Sequence, residues 1–337
     1  MHFPLLQVAI AALVALPATT WGQQITMPTG ATIIGTLTTN AAGHQVQVFR
    51  GIPYAEPPVG NKRWKPAMPV APITKDLNAT SFRDACLSNP QSDGPLVVTA
   101  RSEDCLFLNV YTPAGATPGS SFPVMVWTHG GRFVGGASNG FDGSDLIGAA
   151  GNEMVYVSIN YRLGIMGFLS NEQQMKEGVG GNFGLRDQEV AYDWIKQNIR
   201  HFGGNPNDVT AFGESAGAMS IAMHLVANDG KQQYFQKAIM ESGSYTPYFA
   251  AMLSPANAAD YTSTLAQGVG CAADDELMSC LRAVNASAIM KAAGLLAWLP
   301  SVDGVFFRES PLSLLESGRI SRVPSIIGTN TDEGWLF

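Results

Sequence analysis

The sequence is poor in charge, and above all in positive charge. Only 14% of its 337 residues are charged, and 20 Lys and Arg are set against 27 Asp and Glu, for a net charge of −7. A domain that binds nucleic acid needs a basic patch or stripe, so this balance gives no support to a nucleic-acid partner. The 46% of hydrophobic residues instead fit a globular protein with a large core.

Long apolar runs are scarce as well. The run at residues 5–16 is too short to span a bilayer, and small residues follow it at Thr20 and Gly22. This pattern predicts a secretory signal peptide over residues 1–22, with a buried core helix as the alternative. No later stretch is long and apolar enough to be a membrane span, so we predict a secreted, extracellular protein whose mature part begins at residue 23.

Cysteine is rare but even in number. The four cysteines are Cys86, Cys105, Cys271 and Cys280. In an oxidising compartment they suggest two disulfides, and local pairing is the simplest of three connectivities. A metal site is the alternative, but no CxxC motif or His-rich cluster accompanies them, and we predict neither metal nor cofactor. Sequons at Asn78 and Asn285 predict glycosylation, in keeping with export.

The most informative stretch surrounds Ser215. Residues 209–212 (VTAF) predict a strand, and residues 216–227 (AGAMSIAMHLVA) predict a helix. Between them lies Gly-x-Ser-x-Gly, in which the glycines remove Cβ atoms that would clash in a sharp turn and the serine is held strained with its hydroxyl exposed. The pentapeptide alone arises often by chance, as a serine in a glycine-rich loop. The strand before it and the helix after it favour a catalytic nucleophile.

Strands alternate with helices along the chain. Apolar stretches typical of strands lie at residues 123–128, 154–160, 209–212, 237–240 and 323–328. Residues 185–199 carry an apolar stripe at helical spacing, and residues 247–297 are mostly helical in tendency. With a short antiparallel region at residues 23–47, this order predicts an α/β fold with a mainly parallel central sheet. In such sheets the chemistry lies beyond the carboxyl ends of the strands.

A glycine-rich loop follows one of these strands directly. Residues 129–132 (HGGR) come after the apolar run 123–128, as the oxyanion loop of esterases and lipases does. The backbone amides of Gly131 and Arg132, with that of Ala216, are placed to converge on one oxygen. The alternative is a plain glycine turn.

An acidic pair, Asp332 and Glu333, follows the strand at residues 323–328. Its position matches the order serine, then Asp or Glu, then histidine, although an acidic pair in a loop is usually just solvated surface. No histidine follows Glu333, and the five present are poor substitutes for a base: His2, His44, His129, His201 and His224. We therefore expect the fold to be C-terminally incomplete, with the base absent, a sheet edge unpaired, and the chain by itself unstable and inactive.

Three longer stretches carry a specific resemblance. Residues 202–208 (FGGNPND) lead into the Ser215 motif, residues 103–110 read EDCLFLNV, and residues 49–66 read FRGIPYAEPPVGNKRWKP. Together they resemble the serine signature, the second signature and the N-terminal loop of the type-B carboxylesterase/lipase family, the cholinesterase-like branch of the α/β-hydrolases. The resemblance runs from residue 23 to residue 337 and implies one α/β-hydrolase domain.

The resemblance also implies roles for residues. Ser215 is then the nucleophile, and Glu333 rather than Asp332 the acid of the triad. The remaining implied features are an oxyanion hole at Gly131, Arg132 and Ala216, disulfides 86–105 and 271–280, and ion pairs Arg63–Glu103 and Arg162–Asp187. The implied function is a secreted carboxylic-ester hydrolase that forms a serine acyl-enzyme from a small-molecule or lipid-like ester. The alternative is a non-catalytic, cholinesterase-like binding or adhesion domain, but such relatives typically lose the nucleophile.

Two departures narrow the expected activity. The family usually has Gly or Ala where Arg132 stands, so a long cation crowds or charges this site. The loop from Cys86 to Cys105 is short and has no Trp, whereas cholinesterases place a choline-binding Trp there and lid-gated lipases a long flap. We therefore expect a general esterase.

Overall fold

The computed structural model describes residues 24–88, 100–245, 252–272, 275–294, 296 and 298–333. The predicted signal peptide lies outside these residues, as does most of the loop between Cys86 and Cys105. Across the described ranges, no helix has the length and apolar character needed to cross a membrane.

The strands follow the predicted positions closely. They are β1 Gln24–Thr26, β2 Thr32–Ile34, β3 Thr36–Thr39, β4 Gln45–Pro53, β5 Leu77–Asn78, β6 Ala85–Cys86, β7 Arg101–Ser102, β8 Phe107–Pro113, β9 Phe122–Thr128, β10 Val155–Ile159, β11 Gly204–Glu214, β12 Lys237–Glu241 and β13 Ser325–Gly328. The strand before Ser215 is longer than predicted, because β11 begins at Gly204 and its register on β9 shifts between Gly204 and Val209.

Eight of these strands form one twisted sheet, in the order β13-β12-β11-β9-β10-β8-β4-β3. The pairings from β13 to β10 are parallel, and those from β10 to β3 are antiparallel. The prediction of a mainly parallel centre with an antiparallel N-terminal region is confirmed. The parallel strands therefore end together, and Thr128, Glu214 and Glu241 stand at one edge of the sheet.

Helices separate the parallel strands. They are α1 Ser144–Ala149, α2 Gly164–Phe168, α3 Glu172–Lys176, α4 Phe183–Asn198, α5 Ala216–Gly230, α6 Pro255–Val269, α7 Leu277–Ala283, α8 Ala286–Ala293 and α9 Pro311–Glu316. The predicted helical excursion at residues 247–297 is present as α6, α7 and α8. Regular helical geometry in α5 stops at Val226, since Ala227, Asn228 and Asp229 have non-helical angles.

The central strands of the sheet are buried on both faces. Alternate side chains divide along each strand: Val126 and Ala211 join the larger core beneath α4 and α5, whereas Trp127 and Phe212 join a second cluster with Ile147 of α1. Because successive side chains point to opposite faces of a strand, the continuous apolar runs seen in the sequence supply both cores at once.

Covalent and ionic links hold the surrounding loops. Cys86 bonds Cys105 and Cys271 bonds Cys280, which confirms local pairing. The two predicted ion pairs are present as well, Arg63–Glu103 and Arg162–Asp187. Arg63 also donates to the Leu281 and Val284 carbonyls, so the N-terminal loop is fastened to the end of α7.

The strand β13 differs from a core strand. All four of its residues are exposed, and Ile326 and Ile327 retain 65% and 51% of their surface. Among the described strands its partner is β12 alone, so the outer face of β13 is an edge with unpaired backbone groups. The apolar composition of residues 323–328 predicted burial that this edge position does not provide.

Candidate active site

Ser215 stands at the turn between β11 and α5. Its backbone has φ 52° and ψ −121°, a conformation that L-residues with a side chain adopt only under strain. Two hydrogen bonds hold the turn: the Ser215 amide donates to the Glu241 carbonyl and the Ser215 carbonyl accepts from the Met219 amide, both at 2.9 Å. The side chain is partly exposed. This is the strand–turn–helix geometry that the motif predicts.

The two glycines of the motif are required by the neighbouring strand. A Cβ on Gly217 would lie 2.0 Å from the Thr128 carbonyl oxygen, and one on Gly213 would lie 2.6 Å from the same atom. The turn therefore packs directly on the end of β9. The clash that glycine avoids is with a strand neighbour as well as within the turn itself.

The loop after β9 lies against Ser215. A Cβ on Gly130 would lie 3.1 Å from the Ser215 Cβ and 2.7 Å from a Glu214 carboxylate oxygen. Gly131, Arg132 and Phe133 all have positive φ, at 108°, 59° and 61°. The Gly131 carbonyl accepts hydrogen bonds from the amides three and four residues onward, at residues 134 and 135, which folds the loop back on itself beside Ser215.

Several backbone amides around Ser215 have no acceptor among the described residues. Those of Gly131, Arg132 and Ala216 are among them. Ala216 opens α5, and the Ser215 side chain does not cap that helix. The first amides of a helix have no partner within the helix, and they carry partial positive charge. An oxygen bearing negative charge is the natural occupant of such a site.

Glu333 is connected through Ser242 to the end of the sheet where Ser215 lies. The Ser242 amide donates to the Gly328 carbonyl at 2.8 Å, which joins the ends of β12 and β13. A hydrogen bond from the Ser242 side chain, then one from the Asn330 amide, lowers the pKa of Glu333. Glu333 is therefore an anion anchored two strands from Ser215, because β12 lies between β11 and β13.

Glu214, Glu241 and Glu333 are three carboxylates at this end of the sheet. Burial raises the pKa of Glu214 first, and the charges of Glu333 and Glu241 raise it further. The pKa of Glu214 therefore depends on the charges of both neighbouring carboxylates. The sequence reasoning missed Glu214 and Ser242; the position of Glu214 inside the motif and of Ser242 at a strand end were the available signals.

The described histidines occupy separate places. His44 precedes β4 and His201 precedes β11, both at the sheet edge opposite Ser215. The His224 ring is buried, its Nε2 lies 2.9 Å from the Gln188 amide oxygen, and burial lowers its pKa to about 3. His129 stacks on Tyr161 with ring centroids 4.5 Å apart, and its Nδ1 lies 2.8 Å from the Gly130 carbonyl, so the ring supports the loop that follows β9.

An α/β sheet with a serine at a strained strand–helix turn, and unpaired amides beside it, defines the α/β-hydrolase fold class. The family model of the carboxylesterase family matches residues 22–337. The chain therefore belongs to the carboxylesterase family.

The relatives carry several enzymatic names. The chain is 42% identical over 304 residues to an acylcarnitine hydrolase of Mus musculus, covering 86% of this chain and 52% of the relative. It is 41% identical over 307 residues to the pyrethroid hydrolase Ces2e of Rattus norvegicus, covering 87% and 52%. It is 36% identical over 343 residues to lipase 1 of Geotrichum candidum, covering 87% and 60%. The chain thus spans between half and two thirds of these relatives.

Proposed function

We propose that this protein is by lineage a carboxylic-ester hydrolase, with Ser215 as its nucleophile. The observation that carries the proposal is the strained Ser215 turn, with φ 52° and ψ −121°, set against the unpaired amides of Gly131, Arg132 and Ala216. Strained residues persist where the surrounding structure over-determines them, and they cluster at active sites. Family membership supports ester hydrolysis at the level of reaction type.

The proposed reaction proceeds in two steps. The Ser215 Oγ adds to the ester carbonyl carbon while its proton passes to a general base, and the negative charge develops on the carbonyl oxygen facing the three amides. The carbon–oxygen bond to the alcohol then breaks, and the alcohol leaves with the proton. Water next attacks the acyl-enzyme, which releases the acid and restores Ser215.

Glu333 is the proposed acid of the triad. Its hydrogen bonds with Ser242 and the Asn330 amide lower its pKa, so it is ionised at neutral pH and suited to orient an imidazolium. We propose that the imidazole is not one of His44, His201 or His224, whose positions do not suit this role. We propose further that none of the histidines within residues 1–337 is the base.

The test measures hydrolysis of 4-nitrophenyl butyrate by the full chain and by its Ser215→Ala variant, each with and without added imidazole. The variant subtracts the background reaction of imidazole itself. We expect little difference between the two proteins without imidazole, and a Ser215-dependent rate when imidazole supplies the base.

The outcomes separate the two parts of the proposal. Ser215-dependent turnover without imidazole supports the hydrolase and transfers the base role to a histidine of this chain, His129 first. Absence of any Ser215-dependent rate in either condition contradicts the hydrolase and favours the non-catalytic binding domain.

We also propose export from the cell. Two closed disulfides fit an oxidising compartment. Asn78 and Asn285 are exposed, and the Asn285 Oδ1 accepts from the Ser287 amide at 2.8 Å, which leaves its Nδ2 free for a glycan. Secretion from a eukaryotic host should yield a chain that begins at Gln23 and moves faster on a gel after glycosidase treatment. Retention of residues 1–22 in secreted protein would contradict this.

A further inference from the structure

Arg132 is an unusual residue for its place beside Ser215. It follows Gly130 and Gly131, and Gly130 is close enough to Ser215 that a Cβ on it would lie 3.1 Å from the serine Cβ. Its φ of 59° is a conformation that glycine adopts freely and that other residues adopt at a cost. The amide of residue 132 serves an oxyanion equally well from glycine, so the backbone gives no reason for arginine.

The Arg132 side chain also has no structural partner in the described chain. It is exposed, and within the described ranges it makes no ion pair, side-chain hydrogen bond or cation–π contact. Arg63 and Arg162, by contrast, each form a bidentate salt bridge with a carboxylate. A strained position occupied by a cation with no fold-stabilising contact points to a ligand rather than to the fold.

We propose that the Arg132 guanidinium selects esters that carry an anionic group, a carboxylate in the simplest case, close to the reacting carbonyl. The inference rests on the proposed esterase function and names its substrate class. A guanidinium presents a planar pair of N–H donors that matches the two oxygens of a carboxylate. Residue 132 lies in the same loop as Gly130, which packs against Ser215, and the proposal places this pair of donors within reach of the carbonyl that Ser215 attacks.

The other charges of the site make this selection depend on Arg132. Glu333 is an anion and Glu241 adds a further negative charge, while Glu214 has its pKa raised by burial and by these two neighbours. Such a group of carboxylates repels an anionic substrate. Removal of the Arg132 charge therefore leaves a site that rejects anions rather than one that is indifferent to them.

The anionic group can belong to the acid or to the alcohol of the ester, and two substrate pairs distinguish these sources. On the acyl side, mono-4-nitrophenyl adipate is compared with methyl 4-nitrophenyl adipate. On the alcohol side, 4-acetoxybenzoate is compared with its methyl ester. Each pair differs in one negative charge, so the quantity measured is the ratio of kcat/KM for the anionic and the neutral ester, with imidazole present as the base.

Three variants complete the design. Arg132→Gln removes the charge, Arg132→Lys keeps it, and Arg200→Gln removes an exposed arginine at the amino end of β11, a strand of 11 residues that spans roughly 36 Å. We expect Arg132→Gln to lower the ratio about tenfold in at least one pair. Arg132→Lys should restore most of the ratio, Arg200→Gln should leave it unchanged, and added salt should lower it in the wild type more than in Arg132→Gln.

A ratio that changes less than about twofold in both pairs would show that residue 132 contributes only its amide. If no ester is hydrolysed by Ser215 with or without added imidazole, the proposed function fails, and binding still decides the inference. Saturation-transfer NMR then compares monomethyl adipate with dimethyl adipate on the intact chain. Selective binding of the anion that disappears in Arg132→Gln supports the inference, and equal signals in wild type and variant overturn it.

Discussion

Replacement of Ser215 by glycine is expected to stabilise the protein while it removes the proposed nucleophile. Ser215 has φ 52° and ψ −121°, and a residue held in such a region costs about 1–3 kcal/mol. Glycine reaches positive φ without this cost, although its larger freedom in the unfolded chain offsets about 0.5–1 kcal/mol of the gain. The net increase in the free energy of unfolding should be about 1 kcal/mol.

Ser215→Ala is the matched control for this change. It removes the hydroxyl but keeps the Cβ, so it keeps the strain. The backbone hydrogen bonds to Glu241 and Met219 survive in both variants. We expect Ser215→Ala to lie within about 0.5 kcal/mol of the wild type, as substitutions that remove no packed group usually do.

Scanning calorimetry and urea unfolding of the three proteins measure the difference. A gain of about 1 kcal/mol corresponds to a rise of about 2 °C in Tm for a domain of this size. A Tm of Ser215→Gly at or below that of Ser215→Ala would refute the reasoning, because the turn would then hold no strain for glycine to relieve. Loss of the imidazole-dependent esterase rate in both variants is expected in either case.

Three further predictions concern stability around the site. Asp187→Ala should cost about 3–5 kcal/mol, because it strands the buried Arg162 charge, and urea unfolding should show at least partial recovery when Arg162→Met is added. Gly217→Ala should lower the free energy of unfolding by about 3 kcal/mol, since its Cβ would meet a carbonyl oxygen at 2.0 Å; an unchanged Tm would contradict this contact. Burial raises the pKa of Glu189 from about 4.5 to about 7, so between these pH values the folded state keeps a proton that the unfolded state has lost. The free energy of unfolding therefore falls as pH rises from about 4.5 to 7. Glu189→Gln should therefore become more stable than wild type across that window, by roughly 2 kcal/mol, and parallel pH–stability curves would refute the assignment.

Local pattern was sufficient for the features that depend on short stretches of chain. Residues 209–227 predict the strand, turn and helix around Ser215, because the apolar runs and the paired glycines leave few other backbone solutions. The disulfides were predictable for a similar reason, since cysteines close in sequence meet readily and only three pairings were possible. The continuous apolar run at residues 123–128 likewise predicts a strand buried on both faces.

The tertiary structure alone decided features that depend on which strands are neighbours. Glu214 and Glu333 are far apart in sequence, but the strand order places β11, β12 and β13 side by side. The charge of Glu333 then raises the pKa of Glu214, and Ser242 at the end of β12 lowers the pKa of Glu333 by a hydrogen bond. The exposure of β13 has the same origin: its apolar residues predict burial, but its place at the end of the strand order leaves Ile326 and Ile327 open. Sequence determines the propensity of each segment, whereas strand order determines its neighbours, and the pKa of a carboxylate or the burial of a side chain depends on those neighbours.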